Sequence, residues 1–480
     1  MSKSLVKNAG FHMLYKLFNI LFALITSMYI ARILSPAGVG QVAYAQNIMT
    51  YFFLLASLGI PNYGTREIAK SRDDKAKNQQ IFSELFFINF WSTVLFAACY
   101  FIFVTWNEAF RGQLLLHYVV GLNLVLNIFN IEWFYQGHEE YQYITVRSFF
   151  VKLLAFVLVI LFVRDRGDTV IYALIASFAV VGNYIFNFIH LRKYIRIQTR
   201  GLKLFHHFKP ILVLFASTIA VELYTLLDTT MLGIFTNDTI VGYYTNSTKT
   251  VKIITTLVSA ISAVLLPRLS YYLEKGQQAE LKKVVGDSVK ILMWLTLACS
   301  FGLFFTADEA TVIMFGEAYA PAAAITKIMC SMIFSIGLNF FFGSQILITF
   351  GKEKFLLISV VCGAILNMGM NLFLIPRYQA EGAALASAAS ETLVLILTYV
   401  FASRYVSFQV ERSFLVSEAL SIAALIVGVF VGGCIAGPKI FILAAKVILG
   451  GCGYIGVGIL TKNAVALQFL QFFMKKMKKI

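Results

Sequence analysis

About fourteen apolar stretches of membrane-spanning length run through this chain of 480 residues, joined by short loops. A helix rises about 1.5 Å per residue, so roughly 20 apolar residues cross a hydrocarbon core of about 30 Å. The stretches are 11–34, 41–61, 83–106, 113–135, 147–163, 169–191, 209–233, 241–266, 287–307, 322–349, 356–376, 382–402, 416–436 and 440–460. Charged residues make up 13% of the chain, where soluble domains carry about 25%. The expected fold is therefore an all-α integral membrane protein with about fourteen transmembrane helices. The residues that say most about function are the charges left inside the spans.

The loops alternate in charge. Counting Arg147, Lys209 and Lys290 at span edges with their loops, every second segment holds Lys and Arg to a total of 28 of the 40. The opposite loops hold five: Arg111, Arg164, Arg166, Arg377 and Lys439. This bias places both termini in the cytoplasm, which an even number of spans requires. The net charge of +16 is then a topology signal with some attraction to anionic headgroups. No basic domain stands outside the membrane, so nucleic acid is not an expected partner. Lys3 and Lys7 precede a first span too long for a signal peptide's apolar region, and it reads as uncleaved. The six cysteines fall in apolar stretches without a CxxC pair, so neither a disulfide nor a metal centre is expected.

The chain repeats itself at a little over 200 residues. Val39-Gly40 after the first span matches Val241-Gly242 after the seventh. Gln136-Gly137-His138-Glu139 after the fourth matches Phe350-Gly351-Lys352-Glu353 after the tenth. Two six-helix bundles follow, 1–205 and 206–405, with the same orientation because six is even. Residues 406–480 add two helices and a basic tail. Parallel repeats of this kind place a substrate site between bundles near the midplane, reached by alternating access.

The stretch Tyr29-Ile30-Ala31-Arg32-Ile33-Leu34-Ser35-Pro36-Ala37-Gly38-Val39-Gly40 resembles the first-loop signature of the polysaccharide-transporter family, the Wzx-type oligosaccharide flippases. Ser57-Leu58-Gly59-Ile60-Pro61, followed by Thr65-Arg66-Glu67-Ile68-Ala69, is similar to the same family's second-span exit. The family belongs to the multidrug/oligosaccharidyl-lipid/polysaccharide exporter superfamily. The resemblance covers essentially the whole chain, and its motifs separate this branch from unrelated carriers without naming a sugar. It implies a flippase for an undecaprenyl-diphosphate-linked oligosaccharide in surface polysaccharide biosynthesis (O-antigen or capsule), working in a bacterial cytoplasmic membrane. Polysaccharide assembly enzymes are possible partners beside the membrane lipids.

A charged side chain at the bilayer centre costs at least about 2.5 kcal/mol, so such residues usually face a cavity or a partner. Lys249 and Lys252 lie on one helix face with Thr245, Thr256 and Ser259. That cationic, hydroxylated face suits a diphosphate; the alternative is snorkelling to the interface. Lys16 and Arg32 in the first span are further phosphate candidates. Glu222 and Asp228 in the seventh span suit either a structural ion pair with the lysines or a coupling carboxylate. Lys152 and Lys327 are lesser candidates, and Lys446 is expected at lipid headgroups. Asn123, Asn127 and Asn130 share one face, as do Asn183, Asn187 and His190; sugar contact and interhelical packing explain such faces equally well. Glu132 and Glu391 have no assigned role.

The expected mechanism is entry of the diphosphate and first sugars into a cationic cavity lined by Lys16, Arg32, Lys249 and Lys252, with the polyprenyl tail left in lipid. Outward movement of a dianion is downhill by about 2.3 kcal/mol per charge per 100 mV. No cofactor is expected and no phosphate-loop motif is present; coupling to protons, sodium or membrane potential is the expected energy source. A multidrug exporter of the same superfamily is the nearest rival; such carriers favour acidic over cationic cavities, so the lysine stripe and the Arg32 signature argue against it. A glycan polymerase or ligase needs a large outer loop with catalytic groups, and the longest here, about 308–321, has no Arg or His. The apolar-then-basic C-terminal tail from Phe469 reads as an interfacial anchor.

Overall fold

Lipid offers no partner to backbone amides, so each long apolar segment closes its own hydrogen bonds as a helix. A computed structural model describes the backbone of residues 5–263 and 266–477, with side chains except those of 5–17, 20, 213, 216–218, 220, 221, 223, 224, 260, 261, 263, 266–268 and 472–477. Among the described residues there is no strand, and ten helices are long and apolar enough to cross a membrane.

The chain forms two compact units, Met1–Gly233 with Asn237–Gly242, and Ile234–Thr236 with Tyr243–Ile480. In the first unit α1 runs Leu5–Ser57, α2 Ile60–Lys70, α3 Lys75–Trp106, α4 Leu114–Leu126, α5 Glu132–Gly137, α6 Tyr141–Phe162, α7 Thr169–Leu191 and α8 Phe205–Phe235. The first unit takes in nearly all of α8, although the repeat pattern divides the chain at residue 205. Asn47 and Tyr51 of α1 explain this: the Asn47 amide donates to the Thr230 hydroxyl at 2.6 Å, and Tyr51 Oη lies 2.8 Å from the same oxygen.

Where two spans joined by a short loop were expected over residues 11–61, α1 consists of two helical stretches that meet directly at the non-helical Ser35 (φ 65°, ψ 170°). Pro36 supplies the reason: it disfavours helical geometry in the residue before it and breaks the hydrogen-bond ladder. Tyr29 of the signature anchors the segment by donating to the Val163 carbonyl at 3.1 Å. The expected span 113–135 is broken instead. After α4, Asn127–Phe129 form a tight 3-10 turn before α5 begins. There the Asn127 carbonyl accepts from the Asn89 amide at 2.8 Å.

Just beyond the kink, α1 crosses the start of α9 (Asp238–Ala263) with almost no gap. A Cβ at Gly40 would fall 1.7 Å from the Asp238 carbonyl oxygen, and one at Gly242 would fall 2.0 Å from the Pro36 carbonyl oxygen. The two glycines matched by the sequence repeat thus meet each other's helices at the same register, each against the carbonyl four residues before the other.

The second unit holds most of α9, then α10 (Leu266–Glu274), α11 (Gln278–Phe315), α12 (Ala322–Asn339), α13 (Glu353–Ala402), α14 (Arg412–Gly433), α15 (Lys439–Leu460) and α16 (Ala464–Met477). A π-helical stretch, Phe340–Leu347, extends α12. Like α1, α13 joins two expected spans through a kink, here at Gln379 (φ 49°) after Pro376. The last helices dock on α11: the Tyr454 hydroxyl lies 2.6 Å from the Trp294 carbonyl and also meets the Glu418 carboxylate, which is only 3% exposed.

Candidate functional site

Polar groups held inside apolar helices are costly, so their partners reveal their purpose. In the first unit the densest such group centres on Arg147 of α6. Its side chain is 4% exposed and forms a 2.6 Å ion pair with Glu132. Its Nε donates to Asn183 Oδ1 at 3.1 Å, and Nη1 donates to Asn187 Oδ1. Three guanidinium nitrogens thus serve three side chains from α5 and α7, a use that suits the rigid fork of arginine. Beside this network lies a cavity of 860 Å³ between α6 and α7. Tyr143, Arg147, His190 and Lys193 line its polar end, and Phe150 and Leu154 its apolar wall.

This arrangement decides how the first unit's asparagines are used. Asn183 and Asn187 are taken by Arg147. Asn123 donates to Ser177 Oγ at 2.9 Å, and Asn127 donates to Thr93 Oγ1 at 3.1 Å. Asn123 and Asn127 are both buried, and these bonds tie α4 to α7 and the turn after α4 to α3. The geometry therefore supports interhelical packing for these amides. Lys152 donates to Asn19 of α1. Arg32 is exposed on α1, and the Lys16 side chain lies outside the described residues. Glu222 is half-buried and Asp228 buried on α8, both in the first unit.

The second unit carries the lysine stripe on α9. Lys249 is half-buried with Nζ 3.5 Å from Asn246 Oδ1, and Lys252 is exposed. Down the stripe, Thr256 donates to the Lys252 carbonyl at 2.6 Å and Ser259 to the Thr255 carbonyl at 2.8 Å. These two hydroxyls spend their protons on their own helix and keep acceptor lone pairs, so the donors this face offers to an anion are the ammonium groups and the Thr245 hydroxyl, which is buried without a hydrogen-bond partner among the described residues. The adjoining face packs on α12, where Ser247 donates to the Ala322 carbonyl at 3.0 Å. Lys327 pairs with Asp308 at 2.6 Å, and Lys446, expected at headgroups, pairs with Glu309 at 2.5 Å.

Arg147 was counted with the loop charges by the topology pattern, which did not foresee its burial or its partners. A second group has no signature in the sequence at all. Glu84 of α3, His207 of α8 and Tyr63 of α2 form a buried chain: Glu84 Oε2 lies 2.8 Å from His207 Nε2, and Tyr63 Oη 2.9 Å from His207 Nδ1. Burial lowers the His207 pKa.

Comparison with known proteins places these features in context. A family model described as polysaccharide biosynthesis protein matches residues 5–273, more than half of the chain, and one described as lipid II flippase MurJ matches residues 155–448. The chain is 26% identical over 394 residues to the putative O-antigen transporter of Escherichia coli (strain K12), covering 80% of this chain and 93% of that protein. It is 26% identical over 419 residues to the capsular polysaccharide biosynthesis protein CapF of Staphylococcus aureus, covering 83% of this chain and 100% of that protein. Among solved structures it is similar to lipid II flippase MurJ in an inward closed conformation, with a TM-score of 0.78 at 12% identity over 95% of this chain and 100% of that one. At that identity the likeness is one of fold.

Proposed function

Because the chain belongs to the polysaccharide biosynthesis protein family of Wzx-type flippases, we propose that it carries an undecaprenyl-diphosphate-linked oligosaccharide from the cytoplasmic to the outer leaflet of a bacterial cytoplasmic membrane. The observation that carries this reading is the pair Lys249 and Lys252 on a membrane-length helix, where the hydroxyls of Thr256 and Ser259 are already spent on the backbone. A diphosphate is the cargo headgroup that two such ammonium groups recognise by charge-assisted hydrogen bonds. Arg32 and Lys16 of the first unit are the further phosphate contacts. Fourteen passes are the count that fits: the ten apolar helices, a second pass in each of the kinked α1 and α13, and α8 and α9. Both termini then lie in the cytoplasm, in keeping with the loop charges.

The cycle is alternating access. The headgroup enters from the cytoplasm, the polyprenyl tail stays in lipid, and the inside-negative potential favours outward movement of the dianion. Asp228, buried in α8, is the candidate for proton or sodium coupling. Relatives named as transporters and flippases support transport rather than glycan chemistry.

The test is a Lys249→Gln/Lys252→Gln double variant in a host lacking the chromosomal copy, with lipid-linked oligosaccharide quantified on each leaflet. The expected result is intact glycan trapped on the cytoplasmic leaflet while the variant is inserted at normal levels. A normal flipping rate refutes the cationic assignment. No glycan change on deleting the gene itself favours a small-molecule exporter, and exported but unpolymerised glycan favours an enzyme.

A further inference from the structure

Three potential metal ligands from distant parts of the chain converge in the first unit. Glu84 stands in the third turn of α3, and His206 and His207 stand in the first turn of α8. One ligand atom from each lies within 4.8 Å of the others. Glu84 is 1% and His207 2% exposed, while His206 is open to solvent.

What distinguishes this cluster from a chance meeting is the way each ligand is held. Glu84 Oε1 accepts from Gln80 Nε2 at 3.0 Å and from the Lys203 backbone N–H at 2.8 Å, which leaves Oε2 for a further partner. The Lys203 carbonyl meets His206 Nδ1, so the backbone of one residue orients two of the ligands. With Nδ1 donating to that carbonyl, His206 keeps its lone pair on Nε2. His207 Nδ1 is held by Tyr63, and its Nε2 faces Glu84 Oε2. Metal-binding imidazoles are typically oriented in this manner, by an oxygen on the ring nitrogen that does not bind the ion.

We infer that Glu84, His206 and His207 form a binding site for a divalent transition metal of the zinc type. Two imidazoles and one carboxylate suit zinc, whereas calcium and magnesium call for oxygen ligands throughout. Three protein ligands leave a fourth tetrahedral position for water on the open side. With metal–ligand bonds of about 2.0–2.2 Å, tetrahedral ligand atoms sit about 3.3 Å apart. The Glu84–His207 contact must therefore open by about 0.5 Å, and exposed His206 must close in by a side-chain rotation. The proton count balances. Without metal, His207 donates from Nε2 to Glu84 and accepts from Tyr63. With metal, the ring carries its proton on Nδ1, Tyr63 becomes the acceptor, and Nε2 binds the ion.

The site would fasten the segment between α7 and α8 to α3. That segment already rests there through the Gln198 N–H, which donates to Ser83 Oγ at 2.9 Å. A bound ion would make this attachment depend on metal supply, a property that the flippase reading neither requires nor implies.

The experiment uses the tag-free, metal-stripped full chain in lipid nanodiscs, titrated with cobalt(II) and with zinc. The expected result is one equivalent bound with the visible absorption of four-coordinate cobalt, and a zinc-dependent rise in melting temperature. His206→Ala should weaken binding at least tenfold and abolish that rise, while the metal-free melting temperature stays unchanged because His206 is exposed. Glu84→Gln, refolded or not, is read against Tyr63→Phe, which should weaken zinc without removing a ligand. Absence of stoichiometric binding, or binding untouched by His206→Ala, overturns the proposal and leaves Tyr63–His207–Glu84 as a hydrogen-bonded clasp. None of these outcomes depends on whether the protein flips lipid.

Discussion

Arg147 separates charge from shape, and Arg147→Lys tests which of the two the first unit needs. Lysine keeps the positive charge, so the loop-charge bias that sets topology is unchanged. It has one nitrogen at one point, where arginine spreads three over Glu132, Asn183 and Asn187. A lysine that keeps the Glu132 pair therefore abandons both amide oxygens. Asn183 is 7% and Asn187 0% exposed, so neither oxygen regains bulk water. An orphaned buried acceptor costs about 1–3 kcal/mol, and two give about 3 kcal/mol with partial relaxation. That is roughly a hundredfold rise in the unfolded fraction, at about 1.4 kcal/mol per decade. Reversible unfolding of the nanodisc or micelle-bound protein by a denaturing detergent gives the free energy directly. Glu132→Gln is the complement, since it keeps the shape and loses the charge. At an effective dielectric of about 20, charges about 4 Å apart contribute about 4 kcal/mol, so it should cost at least as much. A loss below about 1 kcal/mol for Arg147→Lys would refute the argument. It would mean that water from the adjacent cavity of 860 Å³ replaces the lost donors.

Three further outcomes follow from the geometry. Gly40→Ala and Gly242→Ala should each destabilise by about 1–3 kcal/mol or more, because a Cβ at either position drives two backbones apart. The double variant should cost less than the sum, since one opening of the crossing admits both methyl groups; strict additivity in denaturation experiments would contradict a shared contact. Tyr454→Phe leaves the buried Glu418 carboxylate short of a donor and should cost about 2 kcal/mol, read as faster proteolysis between α14 and α15. In the loop between α6 and α7, backbone N–H groups of Asp165 and Arg164, each at 2.9 Å, hold the Asp168 pKa below its ordinary 3.8. A depressed carboxylate contributes stability above its unfolded value and loses it as pH falls through the folded one. The melting-temperature advantage over Asp168→Asn should thus be constant above about pH 5 and shrink below about pH 4; an advantage that grows toward acid would contradict the assignment.

Apolar length made the helices legible, because lipid leaves the backbone no other choice. The joins between spans were less so. Pro36 and Pro376 marked them, but a proline between apolar runs reads equally as a longer loop, and only the structure shows each pair of helices meeting across one non-helical residue. The break after α4 was hidden, because the spacing of Asn123, Asn127 and Asn130 fits a helix face; the Asn127 carbonyl instead accepts from Asn89, a partner no local pattern contains. Arg147 escaped for a related reason. Topology rules count charges by position along the chain, and its meaning lies in Glu132 and the two asparagines of α7. The cluster of Glu84, His206 and His207 has no spacing to read at all, since the fold alone brings α3 and α8 together. Lysines 249 and 252, in contrast, were conspicuous by their type in an apolar helix, which needs no partner to be noticed.

The crossing of Gly40 and Gly242 is complementary to itself: the patch that receives a glycine is the same patch that offers one. That is the property by which a twofold homodimer recognises its own copy. A chain of half this length, bearing a single proline-to-glycine segment, would already hold both sides of the contact. Joining two copies in one polypeptide raises their effective concentration to the millimolar range without adding an interface. Each glycine is thereby fixed in kind, because a backbone carbonyl of the other's helix already fills the space a Cβ would need.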